Sequence, residues 1–339
     1  MRSSACALVR RMGRHPVTAE VGRRLIERCR WVPGETIAVG CSGGVDSCVL
    51  LAACAAIAGR KSSRGAVVAI HVNHHLRPDA DCDADHVEAL ARELGVPCMR
   101  RDVHPRRQGR GLASDARDLR HAALLEAAVE SGASHIALAH HADDRLETLL
   151  MRLGRGSGLR GLGSIPWQRR SARGSAVRIV RPMLALARTD IMACAESVGI
   201  AWRDDPGNVD PASARGLLRT QVIPALRSRW PRIAARASAA ADGARAGAAA
   251  ARAWSAARIG TGAPSRDLLR AAGADLGCIL IDAWLRGSGV EATWSQVTRI
   301  ARAAQGTEPQ PRAFPAAGAR ITVRRRALTL DAGRGPAGR

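Results

Sequence analysis

Through its N-terminal part the chain alternates short apolar runs with longer stretches in which apolar residues recur every three or four positions. The runs at 36–40, 66–72, 97–103 and 135–139 predict β-strands, and the stretches 46–58, 80–94, 113–130 and 143–153 predict helices. Alternation of this kind predicts an α/β fold, a parallel sheet with helices on both faces. Ligands in such sheets bind beyond the carboxyl ends of the strands. Residues 154–175 are rich in glycine and arginine and lack periodicity, so they read as a mobile surface loop. Helical period resumes at 188–198 and at 214–229, where Pro224 is expected to kink or end the helix.

Beyond residue 231 the pattern changes. Residues 232–258 are mostly alanine and arginine, with high helix propensity but little apolar bulk, which predicts a linker helix on a surface. Larger apolar residues return at 268–285 and 294–303, as in a small helical domain, and the alternation at 320–324 and 327–330, with Ile321 and Val323 on one face, predicts a short hairpin. The domain division expected is 1–230 for an α/β catalytic domain, 231–331 for a linker helix with a small, mainly helical domain, and 332–339 for a disordered tail.

The join of the first strand and its helix carries the sharpest chemical signal, Ser42-Gly43-Gly44-Val45-Asp46-Ser47. Gly43 and Gly44 allow close backbone approach and positive φ, so successive N–H groups can converge on phosphate oxygens at the positive end of the following helix. Ser42 and Ser47 can add hydroxyl hydrogen bonds. Asp46 carries the wrong charge for a phosphate unless a cation lies between them, which implies Mg²⁺. The lysine of the commoner Gly-x-x-x-x-Gly-Lys-Ser/Thr loop is absent.

A second cluster follows the strand at 135–139: His140, His141, Asp143, Asp144, Glu147 and Thr148. Asp144 and Glu147, three apart near a helix N-terminus, share a face and can hold a divalent cation or an amine, while Asp143 can serve as a helix cap. His71, His74 and His75 lack the companion ligands of a metal site, and their place after a strand favours contact with nucleotide or substrate. Arg117 and Arg120, at i and i+3, can face a phosphate or a developing oxyanion, or can be a solvated face paired with Asp115 or Asp118.

Composition narrows the partner and the compartment. The formal charge is +22, carried by arginine with Lys61 the single lysine. A GC-rich genome exchanges lysine for arginine but does not by itself create the basic excess, so a polyanionic partner is expected. No run of about 18 apolar residues exists, so no membrane span is expected, and the arginines scattered through the first residues argue against a signal peptide. Nine cysteines without a Cys-x-x-Cys pair read as reduced, small apolar residues of a cytoplasmic protein, with Cys41 and Cys48 flanking the loop.

The loop resembles the pyrophosphate-binding loop, or PP-loop, of the N-type ATP pyrophosphatases, whose members include amide-forming synthetases, tRNA sulfur-transfer enzymes and tRNA lysidine synthetases. Taken with His74 to Pro78, Ala116 to Arg120, His140 to Thr148, Gly154 to Leu162 with its Arg155-Gly156-Ser157-Gly158-Leu159, Arg181 to Leu184, and Asp205 to Arg219, in which Asn208, Asp210, Arg215 and Arg219 match, it resembles the tRNA(Ile)-lysidine synthetase family in the same order along the chain, over about the first 230 residues. That resemblance implies a Rossmann-like PP-loop domain that uses ATP and Mg²⁺ to adenylate the wobble cytidine of tRNA(Ile) with a CAU anticodon, after which L-lysine displaces AMP. It implies that Ser42, Gly43, Gly44, Val45, Asp46 and Ser47 bind ATP, that Asp46 and Asp144 hold the metal, and that His140, Asp144 and Glu147 organise the reacting centre. Arg117 or Arg120 would offset the adenylate charge, and Asp144, Glu147, Arg155, Ser157, Arg215 and Arg219 would bind lysine or tRNA. Gly207 and Gly216 depart from the family pattern. The rivals are a tRNA sulfur-transfer enzyme, which usually needs a cysteine pair, and an inactive RNA-binding relative; a homodimer stays open.

Overall fold

The structure, a computed structural model, describes residues 2–60, 65–77, 79–106, 111–172, 174–203, 213–306, 310–316 and 318–332. Lys61, Asp205 to Asp210 and 333–339 of the tail expected at 332–339 lie outside the described residues, while Ala332 ends a strand. The chain divides into two compact units, Met1–Glu147 with Ile165–Ala239, and Thr148–Ser164 with Ala240–Arg339. Residues 148–164 thus group with the C-terminal part, which a single cut near residue 230 does not capture.

In the first unit, α1 (Arg2–Arg14) and α2 (Pro16–Glu27) precede β1 (Ile37–Gly40), α3 (Val45–Ala58), β2 (Val67–Asn73), α4 (Ala80–Leu94), β3 (Cys98–Asp102), α5 (Leu112–Glu130), β4 (His135–Ala137) and α6 (Ala142–Gly154). After the short α7 (Leu159–Leu162), which groups with the second unit, β5 (Gln168–Arg170), β6 (Arg178–Val180) and α8 (Arg188–Val198) follow. The sheet order is β3-β2-β1-β4-β6-β5, parallel except for the edge strand β5. The order reverses direction at β1 and β4, so the loops leaving these two strands diverge and leave a crevice between them.

Burial explains the two faces. Ile37, Val39, Ala69, Ala137 and Val180 join a core with Leu8, Met12, Val21, Leu25 and Ile191, whereas Ala38, Ile70, Ile136 and Ile179 pack with Leu124, Ala127 and Ala128 of α5. Helix α3 is apolar almost all round and buried from Val45 to Ile57, as a helix pressed between layers must be. The predicted strands and helices of this unit form within a few residues of their expected bounds. The sequence reading omitted α1 and α2 because arginines break their apolar content, yet Leu8 and Met12, and Val17, Val21 and Leu25, repeat every four residues and mark the buried stripe.

Two other expectations need correction. The stretch 154–175 is not one mobile loop, since it holds α7 and β5, and β5 adds to the sheet as an edge strand. Of the kink or end expected at Pro224, only the end is corrected: the regular ladder is interrupted just before the ring, but the helical path continues, as α9 (Ala214–Leu217) runs into a π-helical turn (Leu218–Val222) and then α10 (Ile223–Arg229). The Ile223 amide bonds the Leu218 carbonyl five residues back, and this wider turn makes room for a ring that has no N–H to give.

The second unit is mainly helical. It contains most of α11 (Ile233–Ile259), then α12 (Arg266–Gly287), α13 (Trp294–Gln305), and a three-stranded antiparallel sheet of β7 (Arg312–Ala316), β8 (Ala319–Val323) and β9 (Leu328–Ala332). Its core joins Leu269, Leu280, Ile281, Trp284, Val297, Ile300, Ile321 and Val323. The expected hairpin gains β7, which Pro315 disguised in the sequence and which sits where proline is tolerated, on an edge. Gly273, at φ 75°, breaks α12 internally.

Within this unit Gly158 lies flat against Trp294, and a Cβ there would overlap the indole ring. Replacing Gly158 with Ala is expected to destabilise the second unit by about 1–3 kcal/mol, the usual cost of overpacking, measured as a lower midpoint in thermal or denaturant unfolding followed by tryptophan fluorescence.

Candidate active site

The hexapeptide after β1 forms a closed turn at the head of α3. Gly43 has φ 91°, a left-handed conformation natural to glycine, and Gly44 caps the helix. Ser47 is buried, and its hydroxyl accepts the Ser42 amide at 3.1 Å and donates to the Gly44 carbonyl at 2.9 Å. Its role in this structure is therefore to shape the loop, while the Ser42 hydroxyl lies 3.3 Å from it. The Arg203 amide donates to the Gly43 carbonyl at 3.0 Å, and the Arg203 side chain pairs with Asp83 at 2.6 Å, which also pairs with Arg77. That clasp ties the loop to α4.

Asp46, in the first turn of α3, points toward the crevice. Its Oδ2 lies 3.7 Å from His141 Nε2 and 3.9 Å from Arg188 Nε, and its Oδ1 is buried with no hydrogen-bond partner among the described residues. Burial raises the Asp46 pKa, against the pull of His141 and Arg188. A buried carboxylate oxygen without a partner fits a cation.

The segment leaving β4 supplies the other half. His141 is buried among three carboxylates, 3.7 Å from Asp46, 3.6 Å from Asp143 and 3.6 Å from Asp144. Asp144 accepts the His141 amide at 3.0 Å and meets Arg219 Nη2 at 3.3 Å. Burial works to raise its pKa, but the nearby His141 and His140 rings, the His141 amide and Arg219 together hold it below the usual carboxylate range. Glu147 is buried; its Oε1 accepts Arg219 Nε at 2.6 Å, and Arg215 Nε stands 3.6 Å from its Oε2, which accepts no hydrogen bond among the described residues. Arg219 sits in the π turn, and its own pKa is raised by Glu147, Asp144 and Asp46 against the effect of burial.

His140 and His141 divide their roles. Burial, aided by Arg181 and Arg120 and opposed by Asp144, lowers the His140 pKa to about 3, so this ring is neutral at physiological pH, and its Nδ1 is buried without a partner. His141, which the sequence reading did not single out, is the ring that touches the acids. Its adjacency to His140 on the strand exit was the available signal, but residue spacing does not tell which of two neighbouring rings faces inward. Asp143, besides lying against His141, accepts the Arg188 amide at 2.8 Å and pairs with Arg227, so it secures the start of α8. Fully buried Arg145 bonds the Ile165 carbonyl and Ser238 and lies 5.1 Å over Trp167.

Arg117 and Arg120 differ in reach on α5. Both act electrostatically on His121, but Arg120 acts also on His74 and His140, and Arg117 on Arg169. Although much of its side chain is accessible, crowding around the Arg120 guanidinium lowers its pKa by burial, followed by the Arg117 charge. His74 Nδ1 is buried and partnerless, and burial lowers its pKa. His71 bonds the Cys41 carbonyl at 3.0 Å, and His75, at φ 50°, meets Asp102 at 2.7 Å. Among the described residues no set of three metal-type ligands gathers, so a divalent ion would rely on Asp46 and Asp144 with phosphate oxygens. Arg155, exposed, and Ser157, whose amide bonds the Arg152 carbonyl, lie in the second unit. Asn208 and Asp210 lie outside the described residues.

Residues 17–226 match the model of the PP-loop domain. The tRNA(Ile)-lysidine synthase of Xanthomonas campestris pv. campestris is 43% identical over 200 residues, covering 59% of this chain and 44% of the relative. That of Burkholderia mallei is 41% identical over 203 residues, covering 59% and 40%. The chain thus spans less than half the length of these curated relatives. Among solved structures, the U34-tRNA thiolase NcsA from Methanococcus maripaludis superposes with a TM-score of 0.57 at 16% identity, covering 67% of this chain and 77% of that one, a likeness of fold alone. A nucleotide-type loop after β1, an acid-rich segment after the neighbouring β4, and a family match over more than half of the residues agree: the chain belongs to the PP-loop domain family.

Proposed function

We propose that the protein is a tRNA(Ile)-lysidine synthetase: it joins L-lysine to the 2-carbon of the wobble cytidine of tRNA(Ile) with a CAU anticodon, through an adenylated tRNA, releasing AMP and pyrophosphate. The observation that carries the reading is the meeting of Asp46 from the nucleotide loop with Asp144 and Glu147 from the segment after β4 in one crevice. The likeness of that same region to the lysidine synthases supports it.

Cytosine's 2-oxygen is a poor leaving group until esterified. In the first step this oxygen attacks the α-phosphorus of ATP and pyrophosphate departs, cradled by the backbone of Ser42 to Ser47 and the positive end of α3. Magnesium, held by Asp46 and Asp144, would offset phosphate charge, a role that the partnerless Asp46 oxygen fits. Arg120 supplies a fixed positive charge toward the forming adenylate. Neutral His140 can exchange a hydrogen bond there without adding charge.

In the second step a lysine amine attacks C2, the C–O bond breaks, and AMP leaves with the electron pair. Glu147 Oε2 is an open, buried acceptor for lysine nitrogen, and Arg219 already shows that these acids hold a cation. Asp144 or Glu147 can accept the proton that the amine loses. The free thiols of the described cysteines accord with a reducing cytoplasm.

Labelled lysine is expected to enter CAU-anticodon tRNA(Ile) only with ATP and Mg²⁺ present; sulfur transfer instead would defeat the reading. The Asp46→Ala variant should lose tRNA-dependent pyrophosphate–ATP exchange by about 100-fold or more, the scale of removing one preorganised electrostatic group. Glu147→Gln should raise the lysine KM by roughly 10- to 100-fold, the worth of a charged hydrogen bond, while exchange is largely kept. The folded pKa values of His140 and His121, about 3 and about 4, lie below the ordinary 6.5. Stability is therefore lost as pH falls from 6.5 toward those values, because only the unfolded chain gains the protons. Chemical denaturation of His121→Gln between pH 7 and pH 5 should show a smaller acid loss than the parent chain.

A further inference from the structure

We propose that Arg169, Arg117 and His121 form a seat for one phosphodiester of the RNA substrate, separate from the phosphates of ATP. The proposal deepens the reading above by assigning part of the RNA path to the outer edge of the sheet.

The strand register places these residues together. Arg169 lies opposite Ile179 in the antiparallel β5–β6 pair, and Ile179 lies beside Ile136 on β4. Residues in register share a sheet face, and Ile136 and Ile179 pack against Leu124, Ala127 and Ala128 of α5. Arg169 therefore emerges on the α5 side of the edge strand. Arg117 and His121 stand one turn apart on α5 and so share a helix face.

The charge at this corner is uncompensated. Several other arginines of the unit are paired with acids: Arg77 and Arg203 with Asp83, Arg219 with Glu147, Arg227 with Asp143. Arg117 has no carboxylate partner among the described residues, and Arg169 donates only to the carbonyls of Arg170 and Ser171. Burial and then the Arg117 charge lower the Arg169 pKa. For His121, burial is followed by Arg169, Arg120, Arg117 and Arg181, all cations. Its Nδ1 is buried with no hydrogen-bond partner. Cations gathered against their mutual repulsion, around a ring nitrogen with nothing to bond, are complementary to an anion with several acceptor oxygens.

Topology separates this seat from the nucleotide loop. Strand β5 is three places from β1 in the sheet, about 14 Å at the usual strand spacing. A phosphate bound there belongs to a chain that continues outward from the crevice, as an RNA backbone does.

The test uses the full chain with a CAU anticodon stem-loop, a single-stranded oligouridylate and ATP as probes, titrated at several salt concentrations. Arg169→Ala should weaken binding of both RNAs by about 5- to 10-fold and flatten the log–log salt slope by about 0.7, the loss of one phosphate contact with single-stranded RNA. Arg169→Lys should recover most of the affinity, and ATP affinity should be unchanged in both variants. Arg169→Gln gives a second neutral variant, and unfolding midpoints identify which neutral variant is folded. Wild-type RNA affinity in a folded neutral variant, or an equal loss of ATP affinity, would overturn the seat. Arg169-dependent RNA binding without lysine incorporation would leave the seat standing and remove the lysidine reading; lysine incorporation with Arg169-independent RNA binding would do the reverse.

Discussion

The first unit is organised around the contact of His141 with carboxylates that arrive from two different strand exits, Asp46 from the loop after β1 and Asp143 and Asp144 from the segment after β4. Like charges brought so close repel and lose hydration, and an arrangement of this kind persists only when cations are fixed nearby. Arg188, Arg219 and Arg227 supply them, from three separate elements. The requirement for compensation therefore draws α8, the π turn and α10 toward the same crevice. It also leaves one oxygen of Asp46 and one of Glu147 buried without hydrogen bonds among the described residues.

The loop is held rigid by a different means. Ser47 closes it from within, and the clasp of Asp83 with Arg77 and Arg203 holds the Gly43 carbonyl from outside. Preorganised backbone donors are effective because no reorganisation is needed when charge arrives. Ser47, one of the two serines whose hydroxyls the sequence offers to a phosphate, thus serves the shape of the loop in this structure.

Arginine excess has two structural consequences. Many guanidinium groups are consumed in local pairs, or in carbonyl contacts such as those of Arg145, so net charge alone overstates the cationic surface. The corner formed by α5 and β5 differs because its cations face one another. No helix of the described residues is long and apolar enough to cross a membrane, and the second unit closes its own core around Trp284, Ile300 and Ile321.

Local pattern was enough for much of the architecture. Strand exits, the Gly43-Gly44 turn and the acids Asp46, Asp144 and Glu147 could be read directly, because a parallel sheet imposes its alternation on nearby residues and phosphate binding needs glycine at a fixed place. What escaped depended on distant partners. Strand β5 exists only because β6 offers an unpaired edge; the helical path through Pro224 survives only by adopting a π turn; and the contact of His141, rather than His140, with three carboxylates follows from how the two neighbouring rings are turned. The sequence by itself determined the elements and the chemical types at the strand ends. Tertiary packing alone decided which of those groups meet, since burial, charge compensation and hydrogen-bond completion are properties of surroundings assembled from residues far apart in the chain.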